Sequence, residues 1–196
     1  YESLNGLTNE SNNKTYPNVV VNAENPIIYK TDSEILDVLN NESAVIYFGF
    51  EKCPWCRNMI EPLLKAASNN KLSKIYYVNI YSIRDTYEIK DNVVTKTFDG
   101  TESYQKILAF FKDKLSEYYL TDTDGKKYDT NTTRLYAPTV IAVKNGEITS
   151  LHAVTVDSQT DPYVELTTDQ KKELTDIYDN LIKSLDEDTC SASNPC

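Results

Sequence analysis

Short apolar runs and helical apolar repeats alternate along the first half of the chain. The run at 45–50 is rich in β-branched and aromatic residues, as is typical of a strand buried on both faces of a sheet. The runs at 27–29 and 75–81 also predict strands. Helical spacing of apolar residues over 35–39 and 59–67 predicts a helix after each of the first two strands. A strand, a helix and a strand in this order imply a parallel sheet.

The last third of the chain predicts a hairpin and a closing helix. The apolar run at 139–143 is followed by Asn145 and Gly146, a pair that favours a type I′ turn into an antiparallel strand. Thr167 and Gln170 then form a capping box ahead of a final amphipathic helix. With one further helix in the middle of the chain, the predicted order of elements is β-α-β-α-β-α-β-β-α.

Residues 83–133 lie between the predicted central strands, and we interpret them as an insertion. Apolar residues at helical spacing from Tyr104 to Tyr118 predict one amphipathic helix within this segment. Asp124 and Gly125 predict a hairpin turn. The insertion is therefore expected to contain a helix and a hairpin.

Both ends of the chain are polar. Residues 1–26 are dominated by Asn, Ser, Glu and Thr and predict a linker or tether. Residues 187–196 form a tail in which Cys190 and Cys196 enclose a short polar loop. We expect a structural disulfide between these two cysteines, with a second redox pair as the alternative. One domain over 27–186 lies between the tether and the tail.

Composition supports this division and excludes one class of partner. A chain of 196 residues, 40% hydrophobic and 26% charged, fits a single decorated domain better than two domains. Its net charge of −10 repels phosphate backbones, so we expect no nucleic-acid partner. No stretch of the sequence approaches the roughly 20 apolar residues that span a bilayer.

The start of the chain and its cysteines suggest an exported protein. The sequence begins with Tyr1 rather than Met and continues through an Asn-rich segment, as expected for the mature part of an exported protein with a membrane anchor upstream. The four cysteines form two local pairs, which suits an oxidising compartment. We therefore expect an extracytoplasmic protein, either secreted or anchored at the cell surface.

Cys53 and Cys56 carry the candidate chemistry. They enclose Pro54, which is well tolerated in the first turn of a helix, so we expect Cys53 at a helix N-terminus. Unpaired N–H groups and the helix dipole stabilise a thiolate there. Cys53 would attack a partner disulfide, and Cys56 would resolve the mixed disulfide. We expect Lys52 and Arg57, the nearby cations, to lower the pKa of Cys53 further.

Two cysteines at this spacing also occur in structural disulfides and in zinc sites. A zinc site would need further ligands. His152 is the only histidine, and Cys190 and Cys196 lie in the tail, so we expect no metal. The strand before the pair and the helix after it favour a redox role.

The sequence resembles the thioredoxin superfamily through three segments. These are VIYFGF at 45–50, KCPWCR at 52–57 and LYAPTVIAVKNGEI at 135–148. The resemblance covers residues 27–186. It implies a thioredoxin fold, an α/β fold whose central mixed sheet is flanked by helices, with the helical and hairpin insertion before the strand that follows the cis-proline.

The resemblance also implies where a partner protein would bind. It implies a cis Ala137–Pro138 bond that faces Cys53, at an edge that holds the extended backbone of the partner. Trp55 would add an apolar platform beside the sulfur, with burial against the insertion as the alternative. We therefore expect Pro54, Trp55, Ala137 and Pro138 to contact the partner.

Three positions depart from the family pattern. Tyr47 stands where thioredoxins place a buried acid six residues before the first cysteine, and a phenol is a poor proton shuttle at neutral pH. Proton transfer from Cys56 would then use water, Glu51 or no dedicated group. Trp55 brings no charge, and Pro62 falls one residue later than the usual helix-kinking proline.

These features together predict an extracytoplasmic protein thiol-disulfide oxidoreductase that works through a mixed disulfide. It is similar to bacterial secreted or lipid-anchored thioredoxin-like proteins, including bacteriocin transport accessory proteins. We expect a monomer without a cofactor, whose partners are protein thiols or disulfides. The direction of electron flow is open. The alternatives are a surface binding module with a structural disulfide and a glutaredoxin-like enzyme that accepts glutathione.

Overall fold

Helices and strands alternate along residues 1–186, the part of the chain that the computed structural model describes. The strands are β1 (Thr8–Asn9), β2 (Lys14–Thr15), β3 (Ile27–Tyr29), β4 (Ala44–Gly49), β5 (Ile75–Asn79), β6 (Thr86–Lys90), β7 (Val93–Phe98), β8 (Ser116–Thr121), β9 (Lys127–Arg134), β10 (Thr139–Lys144) and β11 (Glu147–Ala153). The helices are α1 (Glu34–Asn41), α2 (Pro54–Asn69), α3 (Glu102–Phe111) and α4 (Thr168–Lys183), with 3-10 helices at Glu2–Leu4 and Lys112–Lys114. None of the helices in this part of the chain is both long and apolar enough to cross a bilayer.

Five of these strands form the central sheet, in the order β11-β10-β4-β5-β3. Strands β3, β4 and β5 are parallel, whereas β10 is antiparallel to β4 and β11 is antiparallel to β10. The register places Val45 beside Ile75 in the parallel half and Thr139 beside Phe48 in the antiparallel half. The predicted mixed central sheet is confirmed.

Helices cover both faces of this sheet. On one face, α2 packs against α4, and Met59, Leu63 and Leu174 lie in the shared core. On the other face, α1 and α3 contribute Leu39 and Phe111 to a second core. All six residues of β4 are buried, as a strand covered on both faces requires.

Several element ends form as their sequence predicts. At the start of α4, the Thr167 hydroxyl accepts from the Gln170 N–H, and the Gln170 side chain accepts from the Thr167 N–H. Between β10 and β11, Asn145 and Gly146 have φ angles of 53° and 76°, as both central residues of a type I′ turn must. The predicted capping box and hairpin are therefore confirmed.

The segment at 83–133 differs from the predicted single long helix with one hairpin. α3 ends at Phe111, because Lys112 has a φ of 53° and a right-handed helix cannot continue through a residue with a positive φ. Tyr118 consequently lies on β8. Strands β6 and β7 form an additional hairpin, and its largely exposed residues produce no strong apolar pattern. Tyr104 and Phe111 are fully buried, so α3 belongs to the core. The β6–β7 and β8–β9 hairpins, in contrast, form two small sheets apart from the central sheet.

The N-terminal segment is folded against the domain, and the prediction of a tether over 1–26 is wrong in this respect. Tyr16 and Val19 expose only 7% and 4% of their surface. The Asn5 side chain donates to the Val19 carbonyl oxygen at 2.7 Å and accepts from the Val19 N–H at 2.9 Å. Polar residues that suggest a linker here satisfy backbone groups, a role that composition does not reveal.

Candidate active site

Cys53 occupies the turn that joins β4 to α2. The turn is tight, since the Cys53 N–H donates to the Phe50 carbonyl oxygen at 3.2 Å. Pro54 opens the helix, at a position where a missing N–H costs no intrahelical hydrogen bond. The Cys53 sulfur caps the helix by accepting a hydrogen bond from the Cys56 N–H at 3.2 Å. The predicted position of Cys53 at a helix N-terminus is confirmed.

The two cysteines are free thiols with different access to solvent. Cys53 exposes 5% of its surface, and Cys56 exposes none. Cys53 is therefore more enclosed than the sequence leads us to expect for a reachable sulfur. A partner could reach this sulfur only at its small exposed edge.

The pKa of the Cys53 thiol is lowered from its ordinary value. The largest cause is a hydrogen bond from the Cys56 thiol, and burial of Cys53 opposes it. The N–H groups of Cys56 and Trp55 and the positive charge of Arg84 lower the pKa further. A thiolate therefore forms more readily at Cys53 than at an ordinary cysteine.

The pKa of the Cys56 thiol is raised well above its ordinary value. Burial is the largest cause, and the hydrogen bond and negative charge of Cys53 add to it. A hydrogen bond from the Tyr47 hydroxyl acts in the opposite direction. The surroundings thus favour a thiolate at Cys53 and a protonated thiol at Cys56. An attacking thiol and a resolving thiol need this difference in pKa.

The loop before β10 faces Cys53. Its Ala137–Pro138 peptide bond is cis, and the Cys53 sulfur lies 3.4 Å from the Ala137 carbonyl oxygen. The Thr139 hydroxyl donates to the Tyr136 carbonyl oxygen at 2.7 Å and so supports the loop. The predicted cis bond and the approach of Ala137 to Cys53 are confirmed. Partner binding by Ala137 and Pro138 stays a prediction.

Aromatic and apolar residues lie on both sides of the Cys53 turn. Pro54 and Trp55 are half-buried, and Trp55 packs against the core between α2 and α4. Phe50 and Tyr81 pack together with ring centroids 5.1 Å apart, and Tyr81 is 54% exposed. Contact of Pro54 and Trp55 with a partner stays a prediction.

The two predicted cations are placed differently from one another. Lys52 is exposed beside Cys53, and its influence on the cysteine stays a prediction. Arg57 is buried and donates to the carbonyl oxygens of Pro17 and Tyr1 at 2.7 and 2.8 Å. Its guanidinium therefore holds the N-terminal segment against α2, and the cation that lowers the pKa of Cys53 is Arg84 instead.

Arg84 is the cation that sequence reasoning misses. Its guanidinium lies over the rings of Phe50 and Tyr81, 4.8 and 5.8 Å from their centroids, and its charge lowers the pKa of Cys53. Arg84 follows β5 and comes close to the cysteine only through the tertiary structure. The sequence shows its positive charge but not its neighbours.

Tyr47 lies fully buried behind Cys56, where the family pattern places an acid. Its hydroxyl is hydrogen-bonded to the Cys56 thiol and to the Tyr1 hydroxyl. Gly49 leaves room for this ring, because a Cβ at that position would lie 2.1 Å from the Tyr47 hydroxyl oxygen. Tyr1 is not recognisable from the sequence as a neighbour of Tyr47, because it falls in the segment interpreted as a tether.

The remaining candidate residues that the structure describes form no second site. Within residues 1–186, no three His, Cys, Asp or Glu side chains are grouped so that they could hold a metal ion. Nε2 of His152 is hydrogen-bonded to the Thr155 carbonyl oxygen at 2.8 Å, and its ring packs edge-on against Tyr178. Cys190 and Cys196, the predicted structural disulfide, lie outside the described residues.

Comparison with known proteins gives no family assignment. No protein-family model matches the sequence, and no curated protein matches it significantly. The resemblance to the thioredoxin superfamily therefore depends on the three sequence segments and on the geometry around Cys53.

Proposed function

We propose that this protein is a thiol-disulfide oxidoreductase with a thioredoxin fold, which exchanges electrons with cysteines of other proteins. The observation that carries the proposal is the contrast between Cys53, whose pKa is lowered at a helix N-terminus, and Cys56, which is fully buried and whose pKa is raised. The order of elements around the sheet and the cis Ala137–Pro138 bond beside Cys53 support the fold assignment.

The reaction begins with attack by the Cys53 thiolate on one sulfur of a partner disulfide. A bond forms between Cys53 and that sulfur, and the S–S bond of the partner breaks. The second sulfur of the partner leaves as a thiolate, which takes a proton from water. Because its pKa is lowered, Cys53 supplies the thiolate for this step at a lower pH than an ordinary cysteine would.

Cys56 completes the reaction. After losing its proton, Cys56 attacks the Cys53 sulfur, so that the Cys53–Cys56 bond forms and the remaining partner thiolate is released. The partner disulfide has gained two electrons, and the cysteine pair has lost two. The same steps in reverse oxidise a dithiol of the partner.

Access to Cys53 favours an extended segment as the substrate. Only 5% of the cysteine is exposed, so a disulfide on a rigid convex surface would not reach the sulfur. The Ala137 carbonyl oxygen and the half-buried Trp55 ring lie beside this opening, where an extended chain would find a backbone acceptor and apolar surface. We therefore assign partner binding to Pro54, Trp55, Ala137 and Pro138.

An extracytoplasmic location fits this chemistry. Paired cysteines persist as disulfides in oxidising compartments and are kept reduced in the cytosol. A secreted or surface-anchored protein would meet partner disulfides there, as expected for the bacterial thioredoxin-like proteins that the sequence resembles.

Trapping of the mixed disulfide tests the proposal. The Cys56→Ser variant keeps the attacking thiol but cannot resolve the intermediate, so we expect it to form covalent adducts with disulfide-containing peptides. Mass spectrometry should map these adducts to Cys53, and dithiothreitol should release them. The Cys53→Ser variant is the control, because its Cys56 is buried. No adduct at Cys53 would favour the surface binding module.

The reduction potential of the pair then decides the direction of electron flow. A value near −270 mV, as in thioredoxin, would indicate a reductant, and a value near about −120 mV would indicate an oxidant. Equilibration of the protein with glutathione buffers, followed by alkylation of the free thiols, measures this potential.

A further inference from the structure

The proposed reaction needs a path by which the proton of Cys56 reaches solvent. Cys56 is fully buried, and it must lose its proton before it can attack Cys53. The titratable groups that face it are Cys53 before α2, Tyr47 on β4, Tyr77 on β5, Tyr178 on α4 and Tyr1 in the N-terminal segment. During resolution the Cys53 sulfur is bonded to the partner, and the other four neighbours are phenols, so none is a base at neutral pH.

Tyrosine hydroxyls connect Cys56 to a cavity. The Tyr47 hydroxyl is hydrogen-bonded to the Cys56 thiol on one side and to the Tyr1 hydroxyl on the other. Tyr1, Tyr47 and Tyr77 all line a cavity of about 500 Å³ near the β3 edge of the sheet. The Tyr1 hydroxyl is itself largely buried and is also hydrogen-bonded to Tyr77, so it meets water only where these two rings border the cavity.

We propose that Tyr47 and Tyr1 form the route by which the Cys56 proton reaches solvent, a role that rests on the exchange reaction proposed above. As the Cys56 S–H bond breaks, its proton binds the Tyr47 oxygen, and the Tyr47 hydroxyl passes its own proton to Tyr1. Tyr1 in turn passes a proton to water in the cavity. Each tyrosine gains one proton and loses one, and the negative charge stays on the Cys56 sulfur.

This route avoids the charge that makes a phenol a poor base. Burial raises the pKa of Tyr47 well above its ordinary value, so a resident Tyr47 phenolate is excluded near neutral pH. A hydroxyl that accepts and donates in the same step never ionises. After the transfer, the new Tyr47 proton faces the Cys56 thiolate, and this hydrogen bond lowers the pKa of Cys56.

The surroundings hold the two hydroxyls in place. The Tyr77 ring stacks on the Tyr47 ring, with centroids 5.1 Å apart and planes 22° from parallel. The buried Arg57 donates to the Tyr1 carbonyl oxygen at 2.8 Å, which fixes the backbone of Tyr1 beside α2. Arg57 is therefore a positioning residue for the proton route.

The two thiol steps can be timed separately with 5,5′-dithiobis(2-nitrobenzoate), in the full chain with Cys190 and Cys196 replaced by Ser. Attack by Cys53 releases one equivalent of the yellow thiolate, and resolution by Cys56 releases the second. We expect Tyr47→Phe to slow the second release near pH 7 by about tenfold or more and to leave the first within about twofold. The pH profile of the second release should shift to higher pH.

Tyr1→Phe separates a proton route from a local hydrogen bond. This variant keeps the Tyr47 contact with Cys56 but removes the next hydroxyl, so we expect it also to slow the second release severalfold. Tyr178→Phe is the matched control. Tyr178 is equally buried and faces Cys56, yet its hydroxyl has no hydrogen-bond partner within residues 1–186, so its removal should leave both releases unchanged.

The outcomes distinguish the route from the exchange reaction itself. Unchanged second release in both Tyr47→Phe and Tyr1→Phe would overturn the proton route while leaving the exchange reaction intact. An equal slowing in Tyr178→Phe would also overturn it, because the effect would then reflect packing around Cys56. If the unsubstituted pair releases only one equivalent, Cys56 does not resolve the intermediate, and the proposed function fails.

Discussion

Cys53 and Cys56 are the same chemical group, and only their surroundings make them different. Cys53 receives hydrogen bonds from the Cys56 thiol and from N–H groups at the start of α2, whereas Cys56 is enclosed by apolar side chains and the Tyr47 ring. Helix-end donors are predictable from the sequence, because Pro54 indicates where the helix begins. The contributions of Arg84 and Tyr1 are not predictable from the sequence, because these residues come close to the cysteines only when the chain folds.

Substitution of Arg84 tests whether its charge lowers the pKa of Cys53. Because its positive charge lowers the pKa of Cys53, the Arg84→Gln variant should have less thiolate at neutral pH. We expect the rate of Cys53 alkylation by iodoacetamide at pH 7 to fall by about two- to fivefold. Lys52→Gln is the control for loss of a nearby exposed cation. A larger effect at Lys52 than at Arg84 would show that the sequence-based choice of cation was correct.

Among the elements, α2 has two roles. Its first turn presents the cysteines, and its Arg57 side chain anchors the N-terminal segment through hydrogen bonds to Tyr1, Asn5 and Pro17. The bond to Pro17 is buried and the other two are partly buried, and all come from a charged group, which makes each worth more than an exposed neutral hydrogen bond. The segment is thereby held beside the buried cysteine.

Arg57→Met should release the N-terminal segment. Loss of the guanidinium leaves buried carbonyl oxygens unpaired, so we expect a loss of about 2 to 3 kcal/mol in the free energy of unfolding. Hydrogen exchange should show reduced protection in residues 1–21, while β4 and β10 stay protected. Lys65→Met, at an exposed position of the same helix, is the control. Equal protection of the segment in both variants would contradict the anchoring role.

The elements of the central domain are largely predictable from apolar periodicity, capping residues and the Asn145-Gly146 turn. Two parts are not. The β6–β7 hairpin is mostly exposed, so its alternation of apolar residues is weak, and α3 ends earlier than its apolar spacing suggests because of the backbone conformation of Lys112. The folded N-terminal segment is missed because polar residues that satisfy buried backbone groups have the same composition as a linker.

In the molecule as a whole, the site lies where β4 ends and where the antiparallel strand β10 begins. The mixed order of the sheet brings these two ends together, since β10 pairs directly with β4. Cys53 and the cis Ala137–Pro138 bond therefore meet although they are distant in the chain. The topology thus places a helix N-terminus and a backbone edge on either side of one sulfur.

Global stability should depend on pH through Cys56. Its pKa is raised in the folded protein, so its stabilising contribution is complete below the ordinary thiol pKa of about 8.5 and is lost as the pH rises towards the folded-state pKa. The slope approaches about 1.4 kcal/mol per pH unit. Under reducing conditions, Cys53→Ser should lose more stability between about pH 8 and 10 than the Cys53→Ser, Cys56→Ala double variant. Equal losses in denaturant titrations would show that Cys56 is not held neutral.

The pH dependence of alkylation at each cysteine of the reduced protein shows whether their surroundings make the two thiols different. Brief treatment with iodoacetamide, followed by peptide mass spectrometry, gives separate rates for the two thiols. We expect the rate of Cys53 modification to level off at a pH below the ordinary thiol pKa of about 8.5, while Cys56 stays unmodified in the folded protein. Faster modification of Cys56, or a Cys53 rate that keeps rising beyond about pH 9, would show that Cys53 is not the more acidic and accessible thiol.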